Sequence, residues 1–397
     1  MKEKDYSKSI FIKSIILTIL LTTVIVSMVT IIIMNNNEQT SLLNRIDGKL
    51  SSIEQIVDKD YLGEIDENKI FDETIKGYVE GLNDEYSQYF TKEELDKYKT
   101  DNIEGQFVGI GVYIIQDTEK NAIRVLAPIK GSPAEKAGIL AGDYIVKVDD
   151  QAYTEEQITE ATNKMKGKEG TKVKIQIIRD EKNLDFEVER ANVRVNPVEA
   201  DIYEENIGYL KISSFDQGSG SEVTKKVEEL KEKNIKSLII DLRNNGGGIV
   251  DEAIEIADLF TNKDSTLLIT KDKHGNENIS KAKKDKVIEV PIIVLTNENT
   301  ASASEILAGA LKDNNVAKIV GTTTFGKGVI QELLTMKDGT GLKLTTNEYY
   351  TPNRNKINKV GIEPDEKIEL PEEYKNILSI PKEVDTQLNK AIELLKR

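Results

Sequence analysis

Between Lys13 and Glu38 the chain carries no charge: Ser14 to Met34 is 21 residues of aliphatic and small hydroxyl side chains. A helix of that length, at roughly 1.5 Å per residue, crosses the roughly 30 Å hydrocarbon core of a bilayer. A secretory signal has a shorter apolar region followed by a small-residue cleavage site. Here the run ends in Met34, Asn35, Asn36 and Asn37, so it reads as an uncleaved anchor. Lys2, Lys4, Lys8 and Lys13 precede it. Basic residues stay cytoplasmic, which places the N-terminus inside the cell and the bulk of the chain outside.

Composition narrows the chemistry open to the remaining residues. The 397-residue chain carries a formal net charge of −15, a poor match for nucleic acid, whose phosphates call for clustered Lys and Arg. It has no Cys, which removes disulfides, thiolate metal sites and cysteine nucleophiles. Its one His, His274, lies in a charged turn, Lys271-Asp-Lys-His-Gly275, and reads as a surface residue. One His cannot build a multi-histidine zinc site. No metal and no cofactor are expected.

After the anchor, residues 40–100 read as polar and helical, with Leu43, Ile46, Leu50, Ile53 and Ile56 at helical spacing. Residues 107–179 change character. A glycine-interrupted strand, Val108 to Ile115, leads into Ile123–Leu126 and then Ser132-Pro-Ala-Glu-Lys-Ala-Gly138, one helical turn with Pro at its start and Gly at its end. A strand at 142–148, a helix capped by Thr154 and Gln157, and an alternating strand at 172–178 complete a compact module. Its Gly109-Ile110-Gly111-Val112 loop has two readings. It can present backbone N–H groups to a carboxylate beside an open strand edge, or the glycines simply relieve a bulge. From Asn206 onward strands and helices alternate, the pattern of an α/β core. The stretch from Pro371 to Arg397 reads as one or two charged amphipathic helices bearing Ile380, Val384, Leu388, Ile392 and Leu395.

Three segments of that core follow strands and open into loops, where α/β folds place their sites. In Asp241-Leu-Arg-Asn-Asn-Gly-Gly-Gly248, three glycines let backbone N–H groups point into a cavity, as an oxyanion hole requires; the alternative is a tolerant turn. In Thr300-Ala-Ser-Ala-Ser-Glu305, Ser302 stands at a helix start, where the dipole favours negative charge. Ser302-x-x-Glu305 is equally a structural capping box, and Ser304 is a rival nucleophile. Gly321-Thr-Thr-Thr-Phe-Gly-Lys-Gly328 nears a phosphate loop but has Gly328 where the Mg²⁺-binding hydroxyl belongs. Lys327, beside Phe325, Val329 and Ile330, has the surroundings to be desolvated, neutral and able to accept a serine proton. A Ser-Lys dyad needs no His.

The motifs DLRNNGGG (Asp241–Gly248), TASASEILAGAL (Thr300–Leu311) and GTTTFGKGVIQ (Gly321–Gln331), in this order and spacing, resemble the carboxyl-terminal processing (tail-specific) serine proteases. The GIGV loop and GSPAEKAGI at Gly131–Ile139 resemble that family's PDZ domain. The resemblance implies that Ser302 is the nucleophile and Lys327 the general base. It makes Gln331 the residue that orients Lys327, and Glu305 a support for the helix start. It puts the amides of Ala303 and of Gly248 or Gly247 in the oxyanion hole, and Gly109, Ile110, Gly111 and Val112 in the peptide-binding loop. Two departures stand out. Asp84-Glu85-Tyr86-Ser87 lacks the proline usual in that segment and, lying outside the core motifs, is assigned no catalytic part. Lys166 ends the PDZ helix where many relatives carry Arg.

The expected architecture is α/β: a crotonase-like protease core with an inserted PDZ domain, an N-terminal helical segment and a single transmembrane helix. The divisions are 1–13 cytoplasmic, 14–34 transmembrane, 35–100 helical, 101–185 PDZ, 186–365 protease core and 366–397 helical tail. The expected function is a membrane-anchored serine endopeptidase that binds accessible C-termini of proteins or peptides. A homodimer through the N- and C-terminal helical regions is the expected assembly. The alternative is a catalytically inert, membrane-tethered PDZ scaffold. It predicts that loss of Lys327 leaves function intact while changes at Gly109 or Gly111 abolish it.

Overall fold

The computed structural model describes residues 3–39, 41–118, 120–371, 374 and 380–396, with side chains given for 10–30 and from 42 onward. The chain divides into two units, Met1–Phe71 and Asp72–Arg397.

In the first unit one helix, Glu3–Gln39, contains the apolar run. Its stretch long and apolar enough to cross a membrane is Ile10–Thr30, with every side chain exposed. Ile10, Phe11 and Ile12 carry the exposed apolar surface past Lys13. The hydroxyls within it are satisfied internally: Thr18 donates to the Ser14 carbonyl, Thr23 to Ile19 and Thr30 to Val26, at 2.7–2.9 Å. Back-bonding of this kind lets Ser and Thr sit in an apolar helix without an unpaired donor. A second helix, Ser41–Asp60, leaves Leu43, Leu50, Ile53 and Ile56 exposed within the unit.

Helix Glu67–Glu80 runs across the division into the second unit, which continues with a short strand, Gln88–Phe90, and helix Lys92–Asn102. Next comes a sheet in the order Val112–Asp117, Ala122–Pro128, Tyr144–Val148, Lys172–Arg179, Lys182–Glu189, closed by helix Ile158–Met165. Ile123, Val125, Ile145, Val148, Ile175 and Ile177 form its core. The expected strand from Val108 to Ile115 is two strands. Gly111 sits at φ 77°, and a Cβ there would lie 2.5 Å from Ser132 Cβ. The chain breaks at this point, and Gln106–Gly109 pairs instead with Ala191–Arg194. The helical turn Pro133–Ala137 forms as expected, with Ser132 as N-cap and Gly138 left-handed at its end.

The α/β core is a six-stranded sheet in the order Val198–Tyr203, Ile207–Ile212, Ser237–Asp241, Ile292–Thr296, Ala317–Gly321, Glu366–Lys367. Every neighbour pair after the first is parallel. Ser237–Asp241 and Ile292–Thr296 are buried throughout, as strands covered on both faces must be. Leu238, Ile240, Ile292, Val294 and Ile319 meet helices Ser219–Glu232, Val250–Asp258 and Ala303–Asp313 on one face. Ile239, Ile293, Leu295 and Val320 meet Leu388, Ala391 and Ile392 of helix Thr386–Leu395 on the other.

This packing corrects one expectation: the final strand, Glu366–Lys367, belongs to the core sheet and not to a tail. The tail helix packs its apolar face on the core of its own subunit. The part of the expected tail helices at 372–373 and 375–379 lies outside the described residues. A second sheet, Gln88–Phe90, Gly341–Tyr350, Thr266–Asp272 and Glu277–Lys281, with Val329–Thr335 also pairing Gly341–Tyr350, stands beside the core.

The strand order does the decisive thing. Asp241, Thr296 and Gly321 end three neighbouring parallel strands, so the three loops that follow emerge side by side from one sheet edge.

Candidate active site

The first two loops are laced together. Asn244 N–H donates to Asn297 Oδ1 (2.9 Å), and Asn297 Nδ2 donates to Asn244 Oδ1 (2.7 Å). Thr300 Oγ1 donates to the Leu242 carbonyl (2.9 Å), and Ala301 N–H to that of Asn245 (3.0 Å). Behind them Arg243, itself buried, grips Asp241 at 2.6 Å and Asp385 at 2.8 Å. It thereby ties the start of the tail helix to the glycine loop. Burial alone would push the Asp241 carboxyl up, but the Arg243 guanidinium holds it below the usual carboxylate range.

At the end of this lacing Ser302 has φ 57° and ψ −117°, a conformation open mainly to glycine. Such strain costs of order 1–3 kcal/mol and persists only where surroundings enforce it. The enforcing group is Glu305. Its buried carboxylate closes a capping box by accepting the Ser302 N–H (2.9 Å). It also accepts Gly326 N–H (2.8 Å), Lys327 N–H (2.9 Å) and Thr324 Oγ1 (2.5 Å). One side chain therefore fixes the backbone of the serine loop to that of the lysine loop. Burial pushes the Glu305 carboxyl upward, and these four donors pull it back. The phenol of Tyr349, fully buried, adds a second tie by donating toward the carbonyls of both Ser302 (3.0 Å) and Lys327. Ser302 itself stands at the positive end of helix Ala303–Asp313, facing a cleft of about 760 Å³.

Lys327, half-buried, lines the same cleft. Desolvation lowers its ammonium pKa from the ordinary lysine value, and the Lys343 cation lowers it further; Glu85, Asp84 and Glu305 pull the other way. Its Nζ lies over the Tyr86 ring, 4.4 Å from the centroid. No hydrogen bond joins it to Ser302 among the described residues. Gln331 also lines the cleft, but its amide donates to Thr345 Oγ1 (3.1 Å) and not to Lys327. The reason is local: Gln331 sits on strand Val329–Thr335, where a register shift after Ile330 turns it toward Thr345.

Gly246, Gly247 and Gly248 form the opposite wall. The Gly247 amide, expected in the oxyanion hole, is already given to Asn245 Oδ1 (2.8 Å). The amides of Gly248 and Ala303 take part in none of the hydrogen bonds that lace these loops. Gly247 has a different use, close approach. At φ 102°, a Cβ on it would lie 2.8 Å from Ser302 Cβ and from the Ala301 carbonyl oxygen. Gly247→Ala is therefore expected to cost about 2–4 kcal/mol of stability, read as a lower urea midpoint. A wild-type midpoint would show that the loop has room. The rival Ser304 is fully buried and donates to the Asn245 carbonyl (2.9 Å), so it has no access to the cleft. His274 is exposed, on a turn anchored by Asp272.

In the upstream module, Val112–Asp117 is an edge strand of its sheet. Gly109-Ile110-Gly111 leads into that edge, with the Gly111 carbonyl fixed by Ser132 Oγ (2.9 Å) and Ile129 N–H (3.0 Å). Lys166 lies 3.8 Å from Asp101 and 5.3 Å from the Phe107 ring centroid.

The chain as a whole has counterparts among known proteins. The sequence model of Peptidase family S41 matches residues 206–368. The chain is 36% identical over 325 residues to the carboxy-terminal processing protease CtpA of Bacillus subtilis (strain 168), covering 82% of this chain and 69% of that protein. This chain belongs to peptidase family S41. As an S41 enzyme it is a serine-type peptidase of the carboxy-terminal processing group. A probable CtpA-like serine protease of Staphylococcus aureus (strain COL) is likewise 36% identical, over 87% of this chain and 70% of its own. The PDZ domain model matches residues 108–189. Among solved structures, the photosystem II D1 C-terminal processing protease superposes with a TM-score of 0.53 at 27% identity, over 87% of this chain and 90% of that one. A putative S41 protease from Bacteroides fragilis shares the fold, with a TM-score of 0.59 at 16% identity over 85% and 91%.

Three contributors to this S41 site had no local signal: the Asp84–Ser87 turn, Lys343 and Tyr349. The turn lies outside the core motifs and is assigned no catalytic part from sequence, yet the Tyr86 ring meets Lys327. Only the antiparallel pairing of Gln88–Phe90 with Gly341–Tyr350 brings it there.

Proposed function

We propose that this peptidase is membrane-anchored and cleaves proteins delivered by their C-termini, with Ser302 as nucleophile and Lys327 as general base. The observation that carries the reading is the pairing, in one cleft, of a serine strained at a helix N-terminus with a desolvated lysine, in a chain whose one histidine lies elsewhere. Ser302 Oγ attacks a substrate carbonyl as its proton passes to the neutral Lys327 amine. The Gly248 and Ala303 amides bind the oxyanion, a donor set typically worth roughly 3 kcal/mol per member. The Lys327 ammonium then gives its proton to the departing amine, and water releases the acyl group by the reverse path. A rotation of the Lys327 side chain brings the amine to Ser302 with the Tyr86 ring still beside it, and Gln331 steadies the strand that follows Lys327.

The Gly109–Val112 loop captures a terminal carboxylate, and the open edge of Val112–Asp117 takes up the peptide as an added strand. The core is of the crotonase-like α/β kind. Helix Glu3–Gln39 spans the membrane with the N-terminus cytoplasmic and the catalytic unit outside. A second copy covers the apolar stripe of Ser41–Asp60. A fluorophosphonate probe tests the assignment: peptide mass spectrometry is expected to find the adduct on Ser302. An adduct on Ser304, or none on an enzyme active against an unfolded substrate, overturns it.

A further inference from the structure

The S41 match begins at residue 206, yet the groups nearest the Lys327 amine include a turn more than a hundred residues upstream. Gln88 pairs opposite Lys343, and this register carries residues 84–87 alongside Thr345. Thr345 N–H donates to Ser87 Oγ (3.1 Å), and the Ser87 hydroxyl donates to Asp84. On its other side Thr345 Oγ1 accepts from Gln331 Nε2 (3.1 Å). A polar chain thus runs from Gln331 to Asp84 and fixes the turn whose Tyr86 ring meets Lys327. On the neighbouring strand Lys343 lines the same cleft, its ammonium 5.8 and 5.0 Å from the ring centroids of Phe90 and Tyr98.

We propose that the Asp84–Ser87 turn is part of the catalytic centre, with Tyr86 the positioning residue that holds and stabilises the Lys327 ammonium formed when Ser302 gives up its proton, and with Lys343 opposing it. This rests on the Ser302–Lys327 reading. The physical logic concerns the base's two states. A desolvated amine is readily neutral and able to accept a proton, but the same desolvation penalises the ammonium it becomes. An adjacent carboxylate would cure that penalty by keeping the amine charged throughout. A ring face attracts the cation more gently. The charged and titratable groups facing Lys327 divide accordingly. Tyr86, Asp84 and Glu85 on the turn and Glu305 on the helix favour the ammonium. Lys343 on its strand disfavours it. Asp84 is fit for its part: its hydrogen bonds outweigh its burial, leaving its carboxyl below the usual range.

The opposed signs make the test. Profiles of kcat and kcat/KM against pH are measured for the full chain on an unfolded protein, in Tyr86→Leu, Tyr86→Phe, Lys343→Met and Lys327→Ala. Tyr86→Leu is expected to lower kcat about tenfold with KM little changed. It moves the acid limb to lower pH by about half to one unit, because a less stabilised ammonium loses its proton sooner. Tyr86→Phe, keeping the ring face, restores most of both. Lys343→Met moves the acid limb to higher pH, since removing a neighbouring cation raises the Lys327 pKa. Should Tyr86→Leu not fold, Asp84→Asn takes its place with the same expected direction. An acid limb unmoved in these variants, or moved the same way in both, overturns the proposal while the dyad stands. Full activity in Lys327→Ala instead overturns the dyad.

Discussion

Replacing Lys327 by methionine is expected to lower kcat on an unfolded substrate by about 10⁴-fold or more, and Ser302→Ala by at least as much. Both variants should melt near the wild-type temperature. Ser302 Oγ contributes only its half of one helix's capping box, a loss of about 1 kcal/mol, and methionine matches the apolar stem of Lys327 while removing only the amine. The Ser302→Ala/Lys327→Met double variant should be no slower than either single one. Nucleophile and base act on one proton, so once either is gone the other has nothing to act on. What remains is substrate binding and oxyanion stabilisation. Losses that multiply in the double variant would mean the two residues act independently, and the dyad would be abandoned. Stopped hydrolysis time courses and a thermal melt decide it.

The second large effect falls on Glu305. Leucine there is slightly smaller, apolar and accepts nothing, so the Ser302, Gly326 and Lys327 amides and the Thr324 hydroxyl lose their acceptor together. A buried donor left without a partner costs about 1–3 kcal/mol. The expected destabilisation of Glu305→Leu is therefore about 4–8 kcal/mol, comparable to the whole stability of many domains. Circular dichroism in urea should show an unfolded or much weakened core. A variant that stays folded will still be inactive, because the strained Ser302 backbone relaxes once its N–H is released. A stable, active Glu305→Leu protein would show that Thr300 and Tyr349 hold both loops unaided. The resemblance made Glu305 a support for one helix start. Its hydrogen bonds make it the joint between the serine loop and the lysine loop.

Much of this protein could be read along the chain. The charge-free run announced a helix that needs no partner to satisfy its backbone. Strand and helix alternation announced the core, and proline and glycine placed the Pro133–Ala137 turn. Three glycines, a serine at a helix start and a lysine between glycines became site candidates only when read together, since a capping box and a solvated side chain account for the last two taken singly.

What the tertiary structure decided are contacts between segments far apart in sequence. The adjacency of the three loops follows from strand order, which local pattern does not encode. Gly247 proved to matter for its missing side chain and not for its amide, a difference visible only once Ser302 lies against it. Gln331, which the family resemblance assigns to Lys327, bonds to Thr345 because it sits on a bulged strand. The turn at Tyr86 looked peripheral since its neighbours in sequence carry no chemistry. Pairing of Gln88 with Lys343 laid it on Lys327. Propensity and periodicity report what a residue does with its own backbone, whereas the desolvation and charge that tune Lys327 come from Tyr86, Lys343 and Glu305, which reach it only through the fold.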